Sequence, residues 1–199
     1  PLDSTQTRIL DAELLSMQHR GVALRGEQQA DFNRTSERMA ALSTGFSNHV
    51  LDATQTWSLV IQERAQLNGV PERALEILAA AAKDAGDQAA GGAEPSAAEG
   101  PWRLGLDMPR YIPVITHAKD RNLRETVYKA HVSRASSGNL DNAPLIEEIL
   151  QLRREQATRL GYANWAELSL ASKMADDVPA VESLLEELRA SAMPVAQKE

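Results

Sequence analysis

A mainly helical array carrying one small two-stranded antiparallel ribbon, about residues 56–62 with 101–107, is the fold this sequence predicts. Three observations lead there. Good helix formers dominate while aromatics make up only 4% of the chain. Apolar residues recur at helical spacing over most of the length, broken by Gly and Pro. Only two short stretches change to a period of two, and each is led by a tryptophan.

The first helix is expected over Thr5–His19, with Ile9, Leu10, Leu14 and Met17 on one stripe and Gly21 as its stop. The second runs from Gln28 to Ala53, where Phe32, Met39, Leu42, Phe46 and Val50 mark one buried face. Together they read as an antiparallel helical pair. In "TWSLVIQ", Trp57, Leu59 and Ile61 alternate with Ser58, Val60 and Gln62, and in "PWRLGLD" Trp102, Leu104 and Leu106 alternate with Arg103 and Gly105. Two such strands are too few for a sheet-based core, so they are expected to pair as a ribbon against helices.

Between them, "PERALEILAAAAKDAG" gives a helix opened by Pro71 and closed by Gly86. Asp87–Gly100 is low-complexity and is expected to be a flexible loop that buries nothing. Pro113 then suits a short turn, and Asn122 with Glu125 a capping box for a helix to about Arg134. Asp141 or Asn142 caps the next helix, which tolerates Pro144 in its first turn. That helix sends Ile146, Ile149, Leu150, Ala157 and Leu160 inward and stops at Gly161. Asn164 with Glu167 repeats the box, and Asp177 caps a final helix through Val181, Leu184, Leu185 and Leu188.

With 199 residues, 43% of them hydrophobic and 25% charged, the chain can bury a core. A net charge of −7 argues against a nucleic acid or an anionic membrane as partner. With no cysteine there is no disulfide framework, thiol nucleophile or thiolate metal site. No apolar run approaches the roughly 20 residues needed to span a bilayer. The sequence opens at Pro1 with no signal-peptide pattern and ends in "PVAQKE" within a helical pattern, so it reads as a partial product.

The chemistry-bearing residues do not assemble a catalytic pattern. His19, His49, His117 and His131 include no pair spaced i, i+4 for zinc. Asp176/Asp177, Glu147/Glu148 and Glu186/Glu187 are sequence neighbours, which diverge by about 100° on a helix rather than converge on a substrate. Ser133, Ser136 and Ser137 lie near His131 but in no G-x-S-x-G elbow. Arg121, Arg124, Arg134, Arg153, Arg154 and Arg159 share helices with Glu147, Glu148 and Glu155, which favours i, i+4 ion pairs. The sharper alternative is that some of these arginines face a cavity and steer a peptide carboxylate; their spacing does not select which, and Arg134 and Ser136 are the candidates for substrate contact. From the residues alone, no catalytic, cofactor-binding or metal-ligating side chain is assigned.

Four longer stretches carry a resemblance: "LSTGFSNHVLDATQTW", "PRYIPVITHAKDRNLRETVYKAHVSRASSGNLDN", "PLIEEILQLRREQATRLGYANWAELSLASKMA" and "VESLLEEL". In this order they resemble the N-terminal region of the oligopeptidase A and thimet oligopeptidase family of zinc metallopeptidases, across nearly all of residues 1–199. "GPW" and "SRASSG" are most similar to its plant-type and organellar branch. The resemblance implies one helical wall of an enclosed channel in which short peptides are cut. The family's zinc ligands and general base sit in a later H-E-x-x-H segment that is not among these residues, so no zinc is expected on this chain and none of those roles transfers. It further implies an intracellular soluble protein, of the cytoplasm or an organelle lumen, inactive alone and completed by a catalytic part. The competing expectation is a non-catalytic helical module that binds peptides or a protein.

Overall fold

A computed structural model describes residues 2–198. Among them it forms helices α1 (Ser4–His19), α2 (Gly26–Thr56), α3 (Glu72–Asp84), α4 (Met108–His117), α5 (Arg121–Val132), α6 (Ala143–Arg159), α7 (Trp165–Leu170) and α8 (Val178–Ala196). Strands β1 (Leu59–Ile61) and β2 (Trp102–Leu104) complete it. The strands pair antiparallel with Leu59 opposite Leu104, Val60 opposite Arg103 and Ile61 opposite Trp102. The mainly helical class and the ribbon are therefore as the sequence predicts, with strands shorter than the period-two stretches. The chain divides into two compact units, one spanning Thr44–Pro144 and the other combining residues up to Ser43 with those from Leu145 onward.

The Thr44–Pro144 unit has a continuous core. Its cluster joins Leu67 and Val70, the face of α3 carrying Leu75 and Leu78, the ribbon residues Ile61, Trp102 and Leu104, and Tyr111, Val114, Leu123 and Val127 of α4 and α5. Trp102 is fully buried, and its indole N–H donates to Ala97 O at 3.2 Å, which satisfies its one polar atom. Gly69 makes the tight turn before α3. It holds φ at +96°, and a Cβ there would stand 2.2 Å from His117 O, so any side chain is excluded.

Three local expectations are corrected here. Asp107, rather than Pro113, opens α4, its side chain accepting from Arg110 N, and Pro113 lies inside that helix. Asp120 rather than Asn122 caps α5, because its carboxylate reaches both Asn122 N and Leu123 N. The segment 87–100 does bury groups: Gly100 is buried, and Asp87 forms a two-pronged ion pair with Arg103, both bonds 2.7 Å. That pairing holds the Asp87 carboxyl below its usual range, chiefly through the hydrogen bonds from Arg103.

The other unit is held differently. Phe32, Leu42, Ala157 and Leu168 are buried, with Thr35 and Gln156 beside them. Polar links supplement this thin core. Arg38 clamps Glu148 with two bonds of 2.6 Å, and Arg159 donates to Thr35 Oγ1. His19 meets the Tyr162 hydroxyl at 2.8 Å, and Arg153 sits over Trp165, 5.1 Å from the ring centroid. The stripe of α1 is not buried, so the expected helical pair has no seam of that kind, and α8 likewise buries no residue. On α6, Ile146 and Leu150 are exposed rather than inward, while Gln156 and Ala157 form the buried positions.

The expected i, i+4 ion pairs of the second half also differ. Glu148 pairs with Arg38 across the unit, Arg159 lies 4.0 Å from Asp31, and the i, i+4 pair found on α5 is Lys129 with Glu125.

Candidate functional site

The corner between α5 and α6 gathers polar residues of the Thr44–Pro144 unit around one cavity. Each turn of it is fixed by the sequence "HVSRASSGNLDN". Helix α5 ends at Val132, with Ser133 N bonded back to Lys129 O. Ala135 then takes φ +52°, a left-handed conformation costing about 1 kcal/mol or more for a residue with a Cβ. It is buried, and its carbonyl accepts from Asn142 N at 2.9 Å, so the loop closes on itself there. Gly138, at φ +66°, begins a short 3-10 turn to Leu140, and the Asp141 carboxylate accepts from Ala143 N to cap α6.

Asn142 is the pin. It is buried, donates from Nδ2 to Phe46 O at 3.1 Å and shares a 2.9 Å hydrogen bond with His49 Nδ1. Both partners lie on the part of α2 within this unit. Its side chain is consequently unavailable as a helix cap, and the Asp141 carboxylate takes that place.

Arg134 is the one charged side chain among those lining the cavity at this corner, which measures about 460 Å³. Its Nε donates to His131 O at 2.8 Å and its Nη1 to Thr54 Oγ1 at 3.2 Å. The Thr54 hydroxyl spends its proton on Val50 O, leaving its lone pairs for Arg134. Trp57, Leu106 and Leu140 give the cavity apolar lining, and Ser133, Ser137 and Asn139 give it polar lining.

The histidines are kept apart by separate packing tasks. His131 stacks on Tyr111 with ring centroids 4.0 Å apart, and its buried Nε2 has no partner among the described residues. Burial, then the positive charge of Arg134, hold this imidazole below its ordinary range. Two serines near it make local bonds: Ser133 Oγ donates to Lys129 O and Ser136 Oγ to Ser133 O. Among the described residues no three His, Asp or Glu side chains converge as metal ligands. Nor is any helix of the described residues long and apolar enough to cross a membrane.

Sequence reasoning named Arg134 as one of six arginines and, with Ser136, as a candidate substrate contact. What it lacked was Thr54, eighty residues away, whose hydroxyl fixes the guanidinium.

Comparison with known proteins bears on the whole chain. The sequence model described as Peptidase family M3 matches residues 114–199. "Probable cytosolic oligopeptidase A" of Arabidopsis thaliana is 42% identical over 190 residues, 96% of this chain and 26% of that protein. "Organellar oligopeptidase A, chloroplastic/mitochondrial" of the same plant is 43% identical over 195 residues, 98% of this chain and 24% of that protein. "Oligopeptidase A" of Salmonella typhimurium is 39% identical over 203 residues, 100% of this chain and 28% of that protein. The chain thus spans about a quarter of the length of the curated relatives it matches.

Proposed function

The chain belongs to the oligopeptidase A group of peptidase family M3, a family of metallopeptidases, and from that membership we propose that it forms a non-catalytic wall of a zinc-dependent oligopeptidase. The observation that carries this reading is the 42–43% identity running through 96–98% of the chain, against proteins of which it is one quarter. In this reading residues 1–199 bound a channel that admits short peptides. Bond cleavage belongs to residues outside them, where zinc would supply a Lewis acid and an activated water. The chain alone is inactive, and its partners are short peptides and the catalytic part of the same enzyme. An intracellular setting, cytosolic or organellar, accords with the names of the plant relatives.

The test compares two proteins on an internally quenched peptide of about ten residues. The 199-residue chain with added zinc should release no fluorescence. The complete gene product should cleave it, and a chelator should abolish that cleavage. Zinc-dependent turnover by the short chain would overturn the assignment of catalysis to other residues. A complete gene product that binds the peptide without cutting it would favour the binding-module reading instead.

A further inference from the structure

The unpaired arginine of the α5–α6 corner has the geometry of a receptor. Arg38, Arg103 and Arg189 each spend their forks on a carboxylate of the chain. Arg134 does not: among the described residues it has no acidic partner, and none of the side chains lining its cavity is acidic. A role as a helix cap accounts for the bond from Nε to His131 O, and the Thr54 contact accounts for one more donor. A guanidinium carries five N–H donors. Only two of these are used among the described residues, and the half-buried Arg134 lines a concavity whose other side chains supply no counter-charge.

We infer that this cavity is a carboxylate-binding subsite, with Arg134 as its anchor and a short peptide bearing a free carboxylate as its ligand. The two neutral contacts hold the guanidinium in one orientation, so little rotamer freedom remains to be lost on binding. Ser137 and Asn139 place further polar groups in the cavity lining, and Trp57, Leu106 and Leu140 suit the aliphatic or aromatic side chain beside the carboxylate. The volume of about 460 Å³ falls within the range of small-ligand sites. That the ligand is a peptide rests on the oligopeptidase reading, whereas its carboxylate rests on the cavity itself.

The test is an NMR titration of the 199-residue chain, isotopically labelled to observe arginine Nε–H and backbone amides. Three probes are used: N-acetyl-Gly-Leu with a free C-terminus, its C-terminal amide, and inorganic phosphate. The free acid should shift the Arg134 Nε–H together with the Ser137 and Asn139 amides. The C-terminal amide should bind at least about tenfold more weakly, the loss expected for one charge-assisted pair. Arg134→Gln should abolish the preference, with the indole N–H signal of the buried Trp102 unchanged to show that the unit is still folded. Equal binding of acid and amide overturns the subsite, as does the absence of shifts at these residues. Phosphate binding as tightly as the free acid assigns the cavity to free anions and overturns the peptide ligand. The titration of the unsubstituted chain decides the matter even if the variant fails to fold. Because no cleavage is measured, failure here leaves the oligopeptidase reading intact, and failure of peptide cleavage by the complete gene product leaves the subsite intact.

Discussion

The two units use the same helical vocabulary and reach opposite degrees of burial. Between Thr44 and Pro144, the faces of α3, α4 and α5 meet the ribbon in one buried cluster. In the other unit, α1 and α8 bury nothing, and Leu184, Leu185 and Leu188 are each more than half exposed. The difference teaches that an apolar stripe specifies a helix but not its partner. Burial depends on what stands opposite, and Trp102 stands opposite α3 because the ribbon register carries it there.

The largest effect expected from this contrast follows from removing that partner. Trp102→Ala empties the centre of the Thr44–Pro144 core and should cost about 3–5 kcal/mol. Amide exchange in α3 should accelerate strongly, while exchange in α8 should change little. Unchanged protection of α3 would break the picture of a single cooperative core.

Gly69→Ala comes next. It places a Cβ against His117 O while demanding a left-handed backbone, so a loss of about 2 kcal/mol or more is expected. A chemical-denaturation midpoint within error of the unsubstituted chain would mean that the turn relaxes freely.

A smaller effect is expected at His131, read as a pH dependence. Its folded-state value lies below the ordinary one of about 6.5, so the unfolded chain binds the proton more readily. Stability is then fully present above that ordinary value and declines as pH falls from it toward the folded value. Burial, and after it the positive charge of Arg134, act on this imidazole. His131→Phe keeps a ring on Tyr111 and removes the proton site, so the decline in melting temperature between about pH 7 and 5 should become shallower. An identical slope in the variant would remove His131 as its source; Asp87, held below the usual carboxylate range, loses its contribution only at lower pH.

How far the sequence could be read follows the same division. Capping residues were legible where one side chain had one local use, as at Asn164 and Asp177, each of which accepts from the backbone three residues on. The choice left open between Asp141 and Asn142 falls to Asp141 because Asn142 is held by Phe46 O and His49, and the one misread cap is Asn122, where the better acceptor Asp120 stands upstream. The ribbon was legible from two tryptophan-led alternations, since period two has few other causes. The setting of Arg134 was not, because its partner Thr54 is distant in sequence, and a missing counter-charge becomes visible only once the neighbours are placed.

The smallest effect tests the exposed side of the comparison. Leu184 lies mid-helix in α8 with more than half of its surface in water. Leu and Ala have similar helix propensity, so Leu184→Ala removes little helical preference and little buried area. A change within about 0.5 kcal/mol is expected by chemical denaturation, an order of magnitude below the Trp102 substitution. A loss above roughly 1.5 kcal/mol would show that this leucine packs as a core residue in solution, since only removal of buried methyl groups carries such a cost. The contrast between the units would then lie in the strength of their cores rather than in whether the stripe of α8 is covered.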